Sequence, residues 1–167
     1  MCTIFQASFF IRTNVPRPVI DICSVSYTHL RAHETREDVI NVVETFFEIG
    51  KTKNLGVLKD IQLNSPDFSS FSDVPPFDLK DFATSIALEE LRFVSISDYD
   101  YEIIKPKISI FGNSAIVAFE LRQKGMLVDN KAFTGEHISI DGRGTFVLIK
   151  NEAWKIVHIH LSKIKDS

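Results

Sequence analysis

The hydrophobic pattern of the chain changes period about halfway along. Counted from Val39, the apolar residues Val42, Val43, Phe46 and Phe47 recur at i+3, i+4, i+7 and i+8. That is the single stripe of an amphipathic helix beginning near Arg36, with Gly50 as its stop. A shorter helix is expected from about Asn54, turning Leu55, Leu58 and Ile61 inward until Asn64-Ser65-Pro66 ends it. Phe68 and Phe71 flank a short extended piece. Asp73-Val74-Pro75-Pro76 reads as a loop, because each proline disfavours helix in the residue before it. Asp78 is placed to cap a third helix with Leu79, Phe82, Ala83 and Ile86 on its apolar side.

After Phe93 the helical period gives way to strands. Residues 99–110 are rich in Tyr and Ile, with Pro106 marking an edge or a bulge. Gly112-Asn113 makes a tight turn into a strand over 115–124. A loop near 125–130 then leads to a long strand over 131–150. Gly135, Gly142 and Gly144 inside that strand suggest sharp bends or bulges. Asn151-Glu152 closes a hairpin to a last strand over 153–161. Helices followed by a meander of long strands is an α+β plan. The expected form is a cone, with about three N-terminal helices packed on the concave face of a strongly curved antiparallel sheet. Eleven phenylalanines follow residue 35 and could either fill a core or line an apolar pocket.

The length of 167 residues allows one domain. With 19 basic and 22 acidic side chains the net charge is -3, so a nucleic-acid partner is not expected. No apolar run approaches the roughly 20 residues of a membrane helix. The apolar run at 4–11 lacks a preceding basic segment and a cleavage site, so secretion is not expected and a cytoplasmic location is. Residues 25–35, Val-Ser-Tyr-Thr-His-Leu-Arg-Ala-His-Glu-Thr, resemble the translation of a transposase sequencing adapter along their whole length. Residues 1–35 are accordingly read as a non-native or disordered leader, 36–164 as the domain and 165–167 as a tail. Cys2, Cys23, His29 and His33 fall in that leader and are left out of any metal reading.

The run from Gly142-Arg143-Gly144 to Trp154-Lys155-Ile156-Val157-His158-Ile159-His160-Leu161-Ser162 resembles the end of a SnoaL-like domain of the nuclear transport factor 2-like superfamily. Its Trp-x-x-Val-His-x-His-x-Ser tail recurs there, including in the association domain of calmodulin-dependent kinases. The resemblance covers about residues 36–164. It implies the cone fold, a cofactor-free pocket for a small hydrophobic molecule, and a homodimer formed through the outer sheet face. Many relatives carry an acidic residue between the tail histidines, where this chain has Ile159. The superfamily holds ketosteroid isomerase, scytalone dehydratase and polyketide cyclases beside purely oligomerising modules, so fold alone does not choose a function.

Several residues carry candidate chemistry. His137, Ser139, Asp141 and Arg143 share one face of a regular strand, His137 and Asp141 about 13 Å apart along it. His137 and Asp141 are read as acid–base candidates, with Tyr101 donating to a developing enolate. A polar sheet face meeting a partner subunit is the alternative. Arg143 is a candidate carboxylate clamp or an ordinary surface ion pair. Phe71, Phe119, Trp154, His158 and His160 are the remaining candidate ligand contacts. His158 and His160 lie about 6.6 Å apart on one strand face, a spacing that also suits a metal, but no further ligands are fixed nearby, so no metal site is expected. The acidic set Asp67, Asp73, Asp78 and Asp81 reads as loop and cap chemistry. The function expected is small-molecule binding, with isomerase, cyclase or dehydratase chemistry by acid–base catalysis. The other reading is a non-catalytic dimerisation or ligand-sensing module.

Overall fold

A computed structural model describes residues 22–129, 131 and 134–164, with side chains from Thr35 onward. Eight elements follow one another: α1 (Ile22–Thr52), α2 (Val57–Ile61), β1 (Ser69–Phe71), α3 (Phe82–Ser95), β2 (Ile96–Phe111), β3 (Ser114–Asp129), β4 (Thr134–Lys150) and β5 (Trp154–Lys163). The sheet runs β1-β5-β4-β3-β2 and is curved but unclosed. Strands β2 to β5 form the expected antiparallel meander, while the short β1 lies parallel to β5 at one edge, so the whole sheet is mixed.

The helices differ from their sequence pattern at their ends. Gly50 does not stop α1, because it lies inside the helix where a Cβ would run into the Tyr99 ring. Lys53 ends it instead, with φ 59 and its N–H donating to Ile49 O at 2.8 Å. The cap of α3 is Asp81 and not Asp78: its carboxylate accepts from Thr84 N at 2.8 Å. Leu79 then falls outside the helix and is exposed.

One face of the sheet meets the helices. Ala115, Val117, Phe119 and Leu121 of β3 alternate into the core, as do Phe146 and Leu148 of β4. The β3–β4 register runs without a break from Ser114/Ile149 to Asp129/Thr134, so the glycines of β4 make no bulge there. They mark close approach: a Cβ on Gly142 would meet Ser162 O at 2.7 Å, and one on Gly144 would enter the Phe119 ring. The β2–β3 ladder shifts register between Ile104 and Lys107, around Pro106, and again between Ser97 and Asp100. A further bulge lies between β4 and β5, where Val147 faces His158 but Leu148 faces Ile156. The extra residue, Val157, switches the parity of β5. Ile156, Ile159 and Leu161 therefore all point inward, and His158 and His160 point outward.

Aromatic rings fill the space between α1, α3 and the sheet. Phe46 packs edge-on against Phe47, Phe93 and Phe146 at centroid distances of 5.2, 5.8 and 5.3 Å. Phe47 meets Phe119 in the same way at 5.9 Å. These phenylalanines are core filling, the first of the two roles their number allowed. Replacing Phe46 by Ala should lower the unfolding free energy by about 3–5 kcal/mol, measured by denaturant melts, because a cavity opens among rings that have nowhere to collapse.

Candidate functional site

At one end of the aromatic core the interior becomes polar. The loop after β1 supplies Asp73, α3 supplies Glu89 and Arg92, β2 supplies Tyr99 and β3 supplies Gln123. All four of Asp73, Glu89, Tyr99 and Gln123 are buried. Arg92 is the hub. Its Nη1 lies 3.2 Å from Asp73 Oδ1 and 3.8 Å from Glu89 Oε2. Its Nη2 donates to Gln123 Oε1 at 2.9 Å and, more weakly, to Asp73 Oδ2 at 3.4 Å. The Tyr99 hydroxyl also donates to Gln123 Oε1, at 2.9 Å.

Burial sets the protonation of this cluster. Desolvation holds the Glu89 carboxyl above the usual glutamate range, against the pull of the neighbouring Arg92. Desolvation likewise raises the Tyr99 hydroxyl well beyond its ordinary value, so it remains a donor. For Arg92 burial opposes the charge, but the carboxylates of Glu89 and Asp73 outweigh it and keep the guanidinium protonated. Glu89 Oε2, Asp73 Oδ1 and Gln123 Nε2 are buried without a hydrogen bond. Native interiors leave few such atoms, and two of these three stand against the Arg92 guanidinium.

Two hollows adjoin the cluster. A cavity of about 130 Å³ is lined by Ser72, Lys80, Glu89 and Arg92 with Leu88 and Leu91. A more open groove of about 500 Å³ is lined by Phe71, Asp73, Phe77, His160 and Leu161. Ser72 borders both.

The residues singled out from sequence are placed elsewhere for the most part. His137, Asp141 and Arg143 are exposed on the outer sheet face, opposite Met126, Arg122 and Glu120. No bulge brings His137 to Asp141, so they form no dyad. Asp141 instead accepts from Arg122 Nε at 3.1 Å, and Arg122 Nη1 pairs with Glu102 at 2.9 Å. Tyr101 faces α1, its hydroxyl donating to Glu44 O at 3.1 Å and Glu48 Oε2 at 3.3 Å. Burial, with Glu48 and Glu44 close by, pushes it up to about 12.

Phe119 is a buried core ring. Trp154 is 5% exposed and borders a third hollow with Asp38 and Glu152. His158 Nδ1 shares a hydrogen bond with Ser69 Oγ at 2.8 Å, and burial, then the neighbouring His160, lowers its proton affinity. Phe71 contacts the His160 ring at 5.6 Å, and both border the larger groove. Among the described residues no three His, Cys, Asp or Glu side chains are grouped to hold a metal ion.

Sequence reasoning missed Glu89, Arg92 and Gln123 and took Asp73 for loop chemistry. A signal was present. Glu89 lies three residues after Ile86 and four before Phe93, on the buried stripe of α3. Gln123 continues the inward alternation of Val117, Phe119 and Leu121. A polar residue in an apolar register must be satisfied or functional.

The Glu89 shift fixes a pH dependence. An unfolded glutamate releases its proton near 4.5, whereas folded Glu89 keeps it to higher pH. Between those values the native state binds more protons, so stability falls as pH rises. Melting temperatures of the wild type and Glu89→Gln across pH 4 to 8 should show this. The wild type should lose ground to the variant above about pH 4.5, and a difference independent of pH counts against a retained proton.

Comparison with known proteins agrees with this architecture. Residues 39–166 match the SnoaL-like domain family. Among solved structures, a nuclear transport factor 2-like superfamily protein from Salmonella enterica serovar Typhimurium aligns with a TM-score of 0.66 and 18% identity, over 81% of this chain and 95% of that one. A dehydratase candidate of the NTF2-like family from Streptomyces avermitilis gives 0.67 and 15%, over 78% and 97%. The S. rosetta CaMKII hub gives 0.60 and 18%, over 77% and 95%. No curated protein matches the sequence. At these identities the structures establish the fold alone. With residues 39–166 matched to the family and the fold shared with NTF2-like structures, the chain belongs to the SnoaL-like domain family of the NTF2-like superfamily.

Proposed function

We propose that the protein binds a small oxygenated molecule at the Asp73–Glu89–Arg92 cluster and supports cofactor-free acid–base chemistry there, of the isomerase or dehydratase type. The observation that carries this reading is Glu89: a buried carboxyl whose Oε2 has no hydrogen bond and which lines a cavity. A carboxyl that keeps its proton can donate to a carbonyl oxygen or a departing hydroxyl. Asp73, ion-paired to Arg92, is the matching base. Oδ1 of Asp73 and Oε2 of Glu89 both stand within 3.8 Å of one guanidinium nitrogen, so acid and base are positioned by the same group. Asp73 borders the larger groove and Glu89 the smaller cavity, with Ser72 on both. In an enolisation of a guest spanning the two, Asp73 Oδ1 takes the α-proton while Glu89 donates to the carbonyl oxygen, and the reverse step returns both protons. These roles fall to the interior cluster in place of His137, Asp141 and Tyr101.

Cyclopentanone in D2O is a direct probe, because α-proton exchange seen by NMR needs only a base and an acid. The protein should accelerate exchange above the buffer rate, and Glu89→Gln, shown folded by circular dichroism, should reduce the acceleration by about 10²-fold or more. Exchange at the buffer rate, or an unchanged variant, rejects the reading.

A second reading concerns the outer sheet face, where Glu102, Arg122 and Asp141 form a cross-strand ion ladder beside Arg143, and Ile116 and Phe111 are exposed. We propose that this face pairs two copies of the chain, consistent with a CaMKII hub sharing the fold. Light scattering at micromolar concentration should give twice the chain mass. A strict monomer rejects the pairing.

A further inference from the structure

Lys80 is a buried cation without a carboxylate partner. The residue is 4% exposed, and its ammonium donates to Pro76 O at 2.6 Å and Asp78 O at 2.9 Å, both backbone carbonyls. Among the described residues no carboxylate lies within ion-pair distance of its Nζ. Asp73 is engaged with Arg92, and the nearest cation to Glu89 is also Arg92. An ammonium has three donors, and these contacts use two. Lysine is almost never fully buried unless paired, because an uncompensated charge away from water is costly.

The cavity that Lys80 lines has the complementary features of an anion site. Its walls carry two cations, Lys80 and Arg92, and Arg92 is already balanced by Asp73. Burial raises the proton affinity of Glu89, which works against a negative charge on this wall, while Arg92 and Lys80 pull the other way. Ser72 Oγ accepts from Val74 N at 3.3 Å, which leaves the hydroxyl proton free to donate. Val74, Leu88 and Leu91 provide an apolar side. A volume of about 130 Å³ suits a guest of about four to six non-hydrogen atoms, since a cavity of about 150 Å³ holds benzene.

We infer that this cavity binds a small organic monoanion, its carboxylate set against the Lys80 ammonium and the Ser72 hydroxyl and its short apolar part against Val74, Leu88 and Leu91. The inference rests on the interior cluster being the functional site and narrows its guests from small oxygenated molecules to small carboxylic acids. Arg92 and Asp73 remain engaged with each other, so the guest is held by Lys80, the cation of this cavity that makes no ion pair.

Propanoate is the probe, with propanamide as its uncharged isostere and sodium chloride at equal ionic strength as the control. Thermal melts and titration calorimetry should show saturable stabilisation by propanoate, none by chloride, and at least about tenfold weaker binding of propanamide. Lys80→Gln should weaken propanoate binding by a similar factor. Equal effects of propanoate and propanamide, equal effects of propanoate and chloride, or wild-type propanoate binding by Lys80→Gln each overturn the inference. Should that variant fail to fold, the propanoate–propanamide comparison on the unaltered protein decides alone. Ketone exchange without propanoate binding removes the anion site and leaves the acid–base reading. Propanoate binding without ketone exchange supports the site and removes that reading.

Discussion

A guanidinium in a protein interior keeps its proton, so burying Arg92 obliges its neighbours to supply negative charge and oxygen acceptors. Asp73 supplies the charge from the loop after β1, and Gln123 supplies an acceptor from the middle of the sheet. Tyr99 bonds the same Gln123 oxygen from β2, and Glu89 stands one helical turn before Arg92 on α3. One side chain thus ties the helical layer to the sheet and to the connecting loop. Removing Asp73 would strand the buried guanidinium charge.

The interior is divided between two kinds of packing. Around Phe46, edge-to-face rings exclude a guest and fix the approach of α1 to the sheet. Around Arg92, hydrogen bonds replace ring contacts and space remains. Low dielectric strengthens every interaction in this second region. The same burial that stabilises the first half raises the proton affinity of Glu89 in the second.

The outer sheet face obeys different rules. Its ion pairs are open to water, so Arg122 with Glu102 and Asp141 contributes little to folding. His137, Asp141 and Arg143 looked catalytic because strand alternation places them together. Alternation says which residues share a face, but not whether that face meets helices or solvent. The unbroken β3–β4 register keeps all three on the solvent side.

The pattern of apolar spacing determined the α+β plan, the inner stripe of α1 with Val39, Val43, Phe46 and Phe47, and the meander of long strands. The tail around Trp154 and His158 carried the family. These depend on local periodicity and short motifs, which a linear chain displays directly. Tertiary structure alone decided the parity of β5, since one inserted residue at Val157 exchanges inner for outer positions. It alone joined Asp73, Glu89, Arg92, Tyr99 and Gln123, contributed by three strands or helices and a loop 50 residues apart end to end. Their meeting depends on the curvature of a sheet and the docking of a helix upon it, and neither is written in the spacing of residues along the chain.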